Sequence, residues 1–214
     1  MSDLARAHDT QSVREDIAFM RTLAQEGAGG PLFGGSMLVA IGLIYGAACV
    51  AAWCAITYRP SEAGALMWPI WGGAFVVHAV ALTVLILRLR GQGHGLSMAN
   101  RANRVFGRTW NAVGWAILSC IASFALASWV GHLPQVFAGY PVVIMLLYGV
   151  GWSVTAAASN ERWTRIVALL CFAFAVASGP LLGNPNLLLL FAAALPLLMA
   201  VPGVLLIRKA RGRS

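Results

Sequence analysis

The chain has 214 residues, of which 59% are hydrophobic and only 10% charged, and its mean hydropathy is +0.76. A soluble domain is roughly 45–50% apolar and about 25% charged, so composition excludes a water-soluble globular domain, a disordered chain and a disulfide scaffold. The formal charge is +8. In a soluble protein that excess would suggest nucleic acid. Here the basic residues sit at the ends of apolar runs, a pattern that reads as membrane orientation and not as nucleic-acid binding.

The first 35 residues are polar. Ser12-Val13-Arg14-Glu15 has the spacing of a capping box, in which the Ser and Glu side chains satisfy free backbone N–H groups at a helix start. The spacing predicts an amphipathic helix over about 13–26. Val13, Ile17, Met20 and Ala24 line one face, widened by Phe19 and Leu23, while Arg14, Arg21, Thr22, Gln25 and Glu26 point away. The Gly-Ala-Gly-Gly-Pro run at 27–31 ends it and supplies a joint. Five acids and three arginines precede the first apolar run, which is not the pattern of a cleaved signal peptide. A helix lying on lipid is usually rich in Lys and Arg. This one carries Glu15, Asp16 and Glu26 against Arg14 and Arg21, and an anionic leaflet repels acid. Val13, Ile17, Phe19, Met20 and Leu23 are therefore candidates for docking a protein partner, with a juxtamembrane surface helix as the plainer alternative.

A bilayer core of about 30 Å takes about 20 apolar residues per helix. Six segments qualify: 36–56, 66–87, 110–130, 138–158, 166–182 and 187–207, none containing Asp, Glu, Lys or Arg. Residues 208–214 form a basic tail. Counted alternately, the compartments between and beyond these segments hold 14 and 1 basic residues. The positive-inside rule then puts both termini in the cytoplasm. The expected fold is all-α: a polytopic bundle of six transmembrane helices with an N-terminal amphipathic cytoplasmic helix. Trp53, Trp68, Trp71 and Trp129 fall near the expected outer interface, and Trp110 and Trp163 near the inner one, the depth that suits an apolar ring with one N–H. Pro69 and Pro141 are expected in first helical turns.

Several residues inside or beside the spans could carry function. Gly42 and Gly46 form a GxxxG, and Ser119 and Ser123 a small-residue row with Ala127; both allow close helix packing, within one chain or in a homodimer. His78 is the one imidazole at mid-membrane depth, and an ionisable group there is a functional candidate by default. A neutral histidine bonded across a helix interface is the plainer alternative. The segment 88–109 holds five arginines and no acid. Ser97 could cap a short helix there, with Arg101, Arg104 and Arg108 towards lipid headgroups or towards the acidic N-terminal helix. Asn160-Glu161-Arg162-Trp163 reads as a solvated polar turn, and Pro196 and Pro202-Gly203 interrupt the last span.

Catalytic and cofactor patterns are missing from the sequence. There is no HExxH, GxSxG or P-loop, and the four cysteines lie in apolar runs without metal-ligand spacing. His94 and His132 lie at other depths than His78, which argues against a bis-histidine haem. No enzyme activity and no cofactor are expected.

The run Glu15-Asp16-Ile17-Ala18-Phe19-Met20-Arg21 before a Gly-rich joint, six spans, then Pro202-Gly203 and the closing Arg208-Lys209-Ala210-Arg211 resembles a set of small, uncharacterised six-span bacterial inner-membrane proteins. The resemblance implies a bacterial origin and a multi-pass fold, and supplies no activity or site residue. The sequence thus leads to a non-enzymatic regulatory or accessory subunit, contacting membrane lipid and docking a cytoplasmic or membrane partner through its N-terminal helix. A small-solute permease, or the membrane subunit of a multi-component exporter, is the alternative. The topology has a direct test. A reporter active only outside the cytoplasm should be active when fused at position 132 and inactive at position 97 or after position 214. Activity at 97 would invert the orientation.

Overall fold

Lipid offers no partner for backbone N–H and C=O groups, so an apolar run must close its hydrogen bonds internally. The computed structural model describes residues 17, 34–91, 101–132, 134–159 and 161–211. Among them every regular element is helical. Helix α1 is Gly35–Tyr58, α2 is Ala63–Gly91 and α3 is Arg101–Trp129. A 3-10 segment, Pro134–Gly139, leads into α4, Tyr140–Ser159. Helix α5 is Arg162–Ala177, followed by a 3-10 turn at Gly179–Leu181. The last span is built from α6 (Asn186–Leu195), a π-helical turn (Pro196–Ala200) and α7 (Val201–Arg211). Among the described residues five helices are long and apolar enough to cross a membrane, so the chain is a multi-pass membrane protein. The sixth, α5, has 16 residues.

The backbone differs from expectation in places with physical causes. Helix α2 begins at Ala63, so Pro69 lies inside it and not in its first turn; Pro141 does sit in the first turn of α4. The third helix begins at Arg101, nine residues before the apolar run. Ser97, the expected cap, lies outside the described residues; the residues from 101 on form the first turns of α3, and Arg101, Arg104 and Arg108 ride on a helix and not on a loop. Nothing in 101–110 breaks a helix, and Phe106 and Trp110 bury there, so the α-helix propagates out of the membrane run. At Pro196 the α-helix of the last span gives way to the π-turn, whereas it runs on through Pro202. Proline cannot donate to the carbonyl four residues back. The turn widens instead, and the Val201 N–H donates to the Pro196 carbonyl five residues back.

Packing is organised by glycine. Helix α1 lies between α2 and the last span, α4 lies between α3 and α5, and α5 also meets the π-turn. A Cβ on Gly42 would stand 2.8 Å from the Ala200 nitrogen and 2.9 Å from the Leu195 carbonyl oxygen. One on Gly35 would stand 2.5 Å from the Gly203 carbonyl oxygen, and one on Gly203 equally close to that of Gly35. At Gly46 the neighbour is the Pro196 ring, at 3.2 Å. The GxxxG therefore seats the last span of its own chain. On α4, Gly149 receives the Phe172 ring of α5, and Gly151 lies under Val113 and Trp110 of α3. These small positions allow backbone approach, the main source of helix adhesion in lipid.

The core runs through α1, α3, α4, α5 and the last span, with Leu38, Trp152, Met145, Cys171 and Met199 fully enclosed. Among its described residues helix α2 contributes no member to it, and only Ala74 is buried there. Ser119 and Ser123 are exposed. The core-facing positions of α3 are Phe106, Trp110, Val113 and Ile117, and a step of two residues from Ile117 to Ser119 turns to the opposite face.

Alanine substitutions should rank by the space each Cβ meets. Gly42→Ala and Gly35→Ala should each lower stability by about 1–3 kcal/mol, the usual cost of overpacking. Gly73→Ala and Gly114→Ala meet nothing within 4 Å and should be neutral, or stabilising by up to about 1 kcal/mol from helix propensity. Unfolding midpoints in detergent micelles test the order, and equal effects at all four positions would refute it.

Candidate functional site

The candidate site is a groove between α1 and α2. Four residues, Arg59–Glu62, join the two helices at one end, where Arg59 and Glu62 pair at 2.8 Å. The groove lies in the other half. Its α1 wall is Ser36, Met37 and Ala40, and its α2 wall includes His78, Ala81, Leu82, Leu85 and Arg88. On α2 these recur every three or four residues, so they share one face. Ala40 and Ala81 carry a single side-chain carbon each, which leaves a space of about 280 Å³ between the helices.

His78 closes the deep end. Its ring lies 5.5 Å from that of Tyr45, tilted by 43°. Its Nδ1 is buried and has no hydrogen-bond partner, so the expected bond across a helix interface does not form at that nitrogen. Arg88, at the open end, is exposed and has no ion-pair partner among the described residues.

A second constellation lies at the same end of the bundle, in the core. Phe106 and Trp110 of α3, Tyr148 and Trp152 of α4 and Trp163 of α5 form a chain of ring contacts with centroids 5.5–6.0 Å apart. Trp110 is 4% and Trp152 0% exposed. Trp110 thus does not join an interfacial belt. Gly151 leaves room for its indole to lie across α4. The Nε1 groups of Trp110 and Trp152 have no conventional acceptor, but the two rings meet edge to face, at 80°, an orientation aromatic pairs favour for electrostatic reasons. At the opposite end Trp53 does find a polar partner, donating to Asn186 Oδ1 at 3.2 Å, while Trp68 is 82% exposed.

The segment expected as a solvated polar turn differs: Asn160 lies outside the described residues, and Arg162 and Trp163 open α5. Glu161 pairs with Lys209, which ties the α4–α5 connection to the end of the last span. The pair and the Gly35–Gly203 contact bring the start of α1 and the basic ends of α5 and α7 together. The buried hydroxyls serve their own helices. Thr155 donates to the Gly151 carbonyl and Ser178 to that of Phe174, while Ser153, at the surface, donates to that of Gly149. Among the described residues no three His, Cys, Asp or Glu side chains gather into a metal site.

Of the other sequence candidates, Arg104 and Arg108 are exposed on α3. Ile17 is helical and 53% exposed, whereas Val13, Phe19, Met20 and Leu23 lie outside the described residues, as does nearly all of the expected N-terminal helix. Sequence reasoning missed the groove and the Gly35–Gly203 contact. Ala81 and Ala40 spaced around His78 were the legible signal for the groove. Gly35 and Gly203 had none, because their proximity is tertiary. Comparison with known families, curated proteins and solved structures finds no match to the chain.

Proposed function

We propose that the protein is a non-enzymatic accessory subunit of a bacterial inner membrane, with six spans and both termini in the cytoplasm. It acts through its surface, docking a partner by the N-terminal amphipathic helix. The observation that carries this is the interior. Trp152, Met145, Met199, Leu38 and Cys171 fill it, and the hydroxyls of Thr155 and Ser178 are bonded to their own helices. An interior of that kind offers a solute no string of polar groups, so the alternative of a permease finds little support. The open surfaces are large: α2 and α3 expose Trp68, Phe75, Val80, Trp115, Leu126 and Trp129. Apolar helix faces of this kind rest in lipid or against other membrane helices.

The orientation rests on the count of 14 basic residues against 1. Six spans require α5 to cross. Its 16 residues reach about 24 Å at 1.5 Å per residue, and the 3-10 turn at Gly179–Leu181 extends it.

The test compares the full chain, a variant lacking residues 1–26, and Phe19→Asp with Leu23→Asp, each purified from native membranes in mild detergent. A stoichiometric companion should be recovered with the full chain and lost with both variants, while insertion is unchanged. Equal recovery in all three would overturn docking by that helix. A companion ATPase would replace it with the exporter alternative.

A further inference from the structure

We infer that the α1–α2 groove is a binding site for one anionic phospholipid, from the leaflet on the arginine-rich side of the membrane. Its dimensions fit a single leaflet. His78 and Arg88 are ten residues apart on α2, which is about 15 Å along a helix, half of a hydrocarbon core of about 30 Å. The groove therefore begins at the headgroup boundary and ends near the midplane, the depth of one acyl chain.

Its chemistry is graded along that length. The walls beyond the mouth are Met37, Ala40, Ala81, Leu82 and Leu85, which are apolar and suit a hydrocarbon chain. The mouth carries the Ser36 hydroxyl and the Arg88 guanidinium. Arg88 is exposed and unpaired among the described residues. Its planar fork of N–H donors matches a phosphate. The first turn of α1 adds to this: it holds no acidic residue and its start has no side-chain cap, so the positive end of the helix dipole reinforces Arg88. A zwitterionic lipid presents the same phosphate with a compensating amine. A net negative headgroup is thus preferred.

The small side chains do not read as a failed helix contact. Helix α1 uses Gly35, Gly42 and Gly46 to bring the last span to backbone distance. At the α2 face, by contrast, Ala40 and Ala81 leave about 280 Å³ open. Hydrocarbon fills such a space in a membrane without the cost of an empty cavity.

The test titrates the purified full chain in a neutral detergent with dioleoyl phosphatidylglycerol, dioleoyl phosphatidylcholine or free glycerol 3-phosphate, and counts bound molecules by native mass spectrometry. One phosphatidylglycerol should bind first, about tenfold more tightly than phosphatidylcholine, and free glycerol 3-phosphate should not bind. Arg88→Gln should remove most of that tenfold preference, the size expected for a charge-assisted hydrogen bond. Ala81→Leu, which fills the groove, should weaken both lipids. Arg108→Gln, exposed on α3, should change neither. Equal binding of the two lipids would overturn the proposal. So would an Arg88→Gln variant indistinguishable from Arg108→Gln, or binding of the free headgroup as tight as that of the lipid. A membrane-protein companion lost on Ala81→Leu would mean that a helix and not a lipid occupies the groove.

Discussion

The backbone of α1 touches the backbone of the last span, and the remaining helices are arranged around that contact. In lipid, helices gain little from the hydrophobic effect when they associate, because the tails are as apolar as leucine. What remains is van der Waals contact, which falls off within an ångström or so of the optimum. Gly35, Gly42 and Gly46 on one side and Gly203 on the other remove the side chains that would hold the axes apart. The π-turn at Pro196 belongs to the same seam. Its ring lies against Gly46, and across the widened turn the Val201 N–H bonds to the Pro196 carbonyl.

From this seam the core extends to one side only. Leu38, Ile41 and Cys49 of α1 join Phe191, Leu195 and Met199 of the last span, and through these the side chains of α5, α4 and the inner turns of α3. Helix α2 is held by α1 and by its short connection at Arg59–Glu62. Among its described residues it bears no core residue, and its contact with α1 includes a groove instead of a glycine seam. The molecule thus divides its labour: a tightly packed interior for cohesion, and a helix packed on α1 whose other faces are open to lipid or to other proteins. Function is expected at the second part, because among the described residues the first leaves only the Trp110 and Trp152 indole N–H groups and the Ser159 hydroxyl buried without a hydrogen bond.

Much of the helical layout was legible in the sequence, for a reason specific to membranes. Hydropathy alone locates a helix where lipid forbids every alternative. The limits were less legible. Helix α3 runs back to Arg101 because Phe106 and Trp110 find a core, and hydropathy does not register burial against protein. For the same reason Trp110 looked like an interfacial residue and is instead enclosed, whereas Trp53 does hydrogen-bond near a helix end. The GxxxG was visible, but its partner was not: Ala200 and Leu195 are named only by the fold. Ser119 and Ser123 have the same small-residue pattern and face outward, so the pattern permits a contact without specifying one. Glu161 gave no hint of Lys209, which lies 48 residues away.

The central claim is that Gly42 meets the last span of its own chain. The most direct measurement is disulfide cross-linking in native membranes, with Gly42→Cys and Ala200→Cys combined in a chain whose four own cysteines are replaced. A Cβ at position 42 would lie 3.0 Å from that of Ala200, close to the separation of about 3.5–4.5 Å across a disulfide. Mild oxidation should give a cross-linked monomer, seen as a mobility shift reversed by reductant, and Gly42→Cys paired with Ser119→Cys should give none. A cross-linked dimer from Gly42→Cys alone, with no intramolecular product from the pair, would contradict the account and assign the GxxxG to a second copy of the chain.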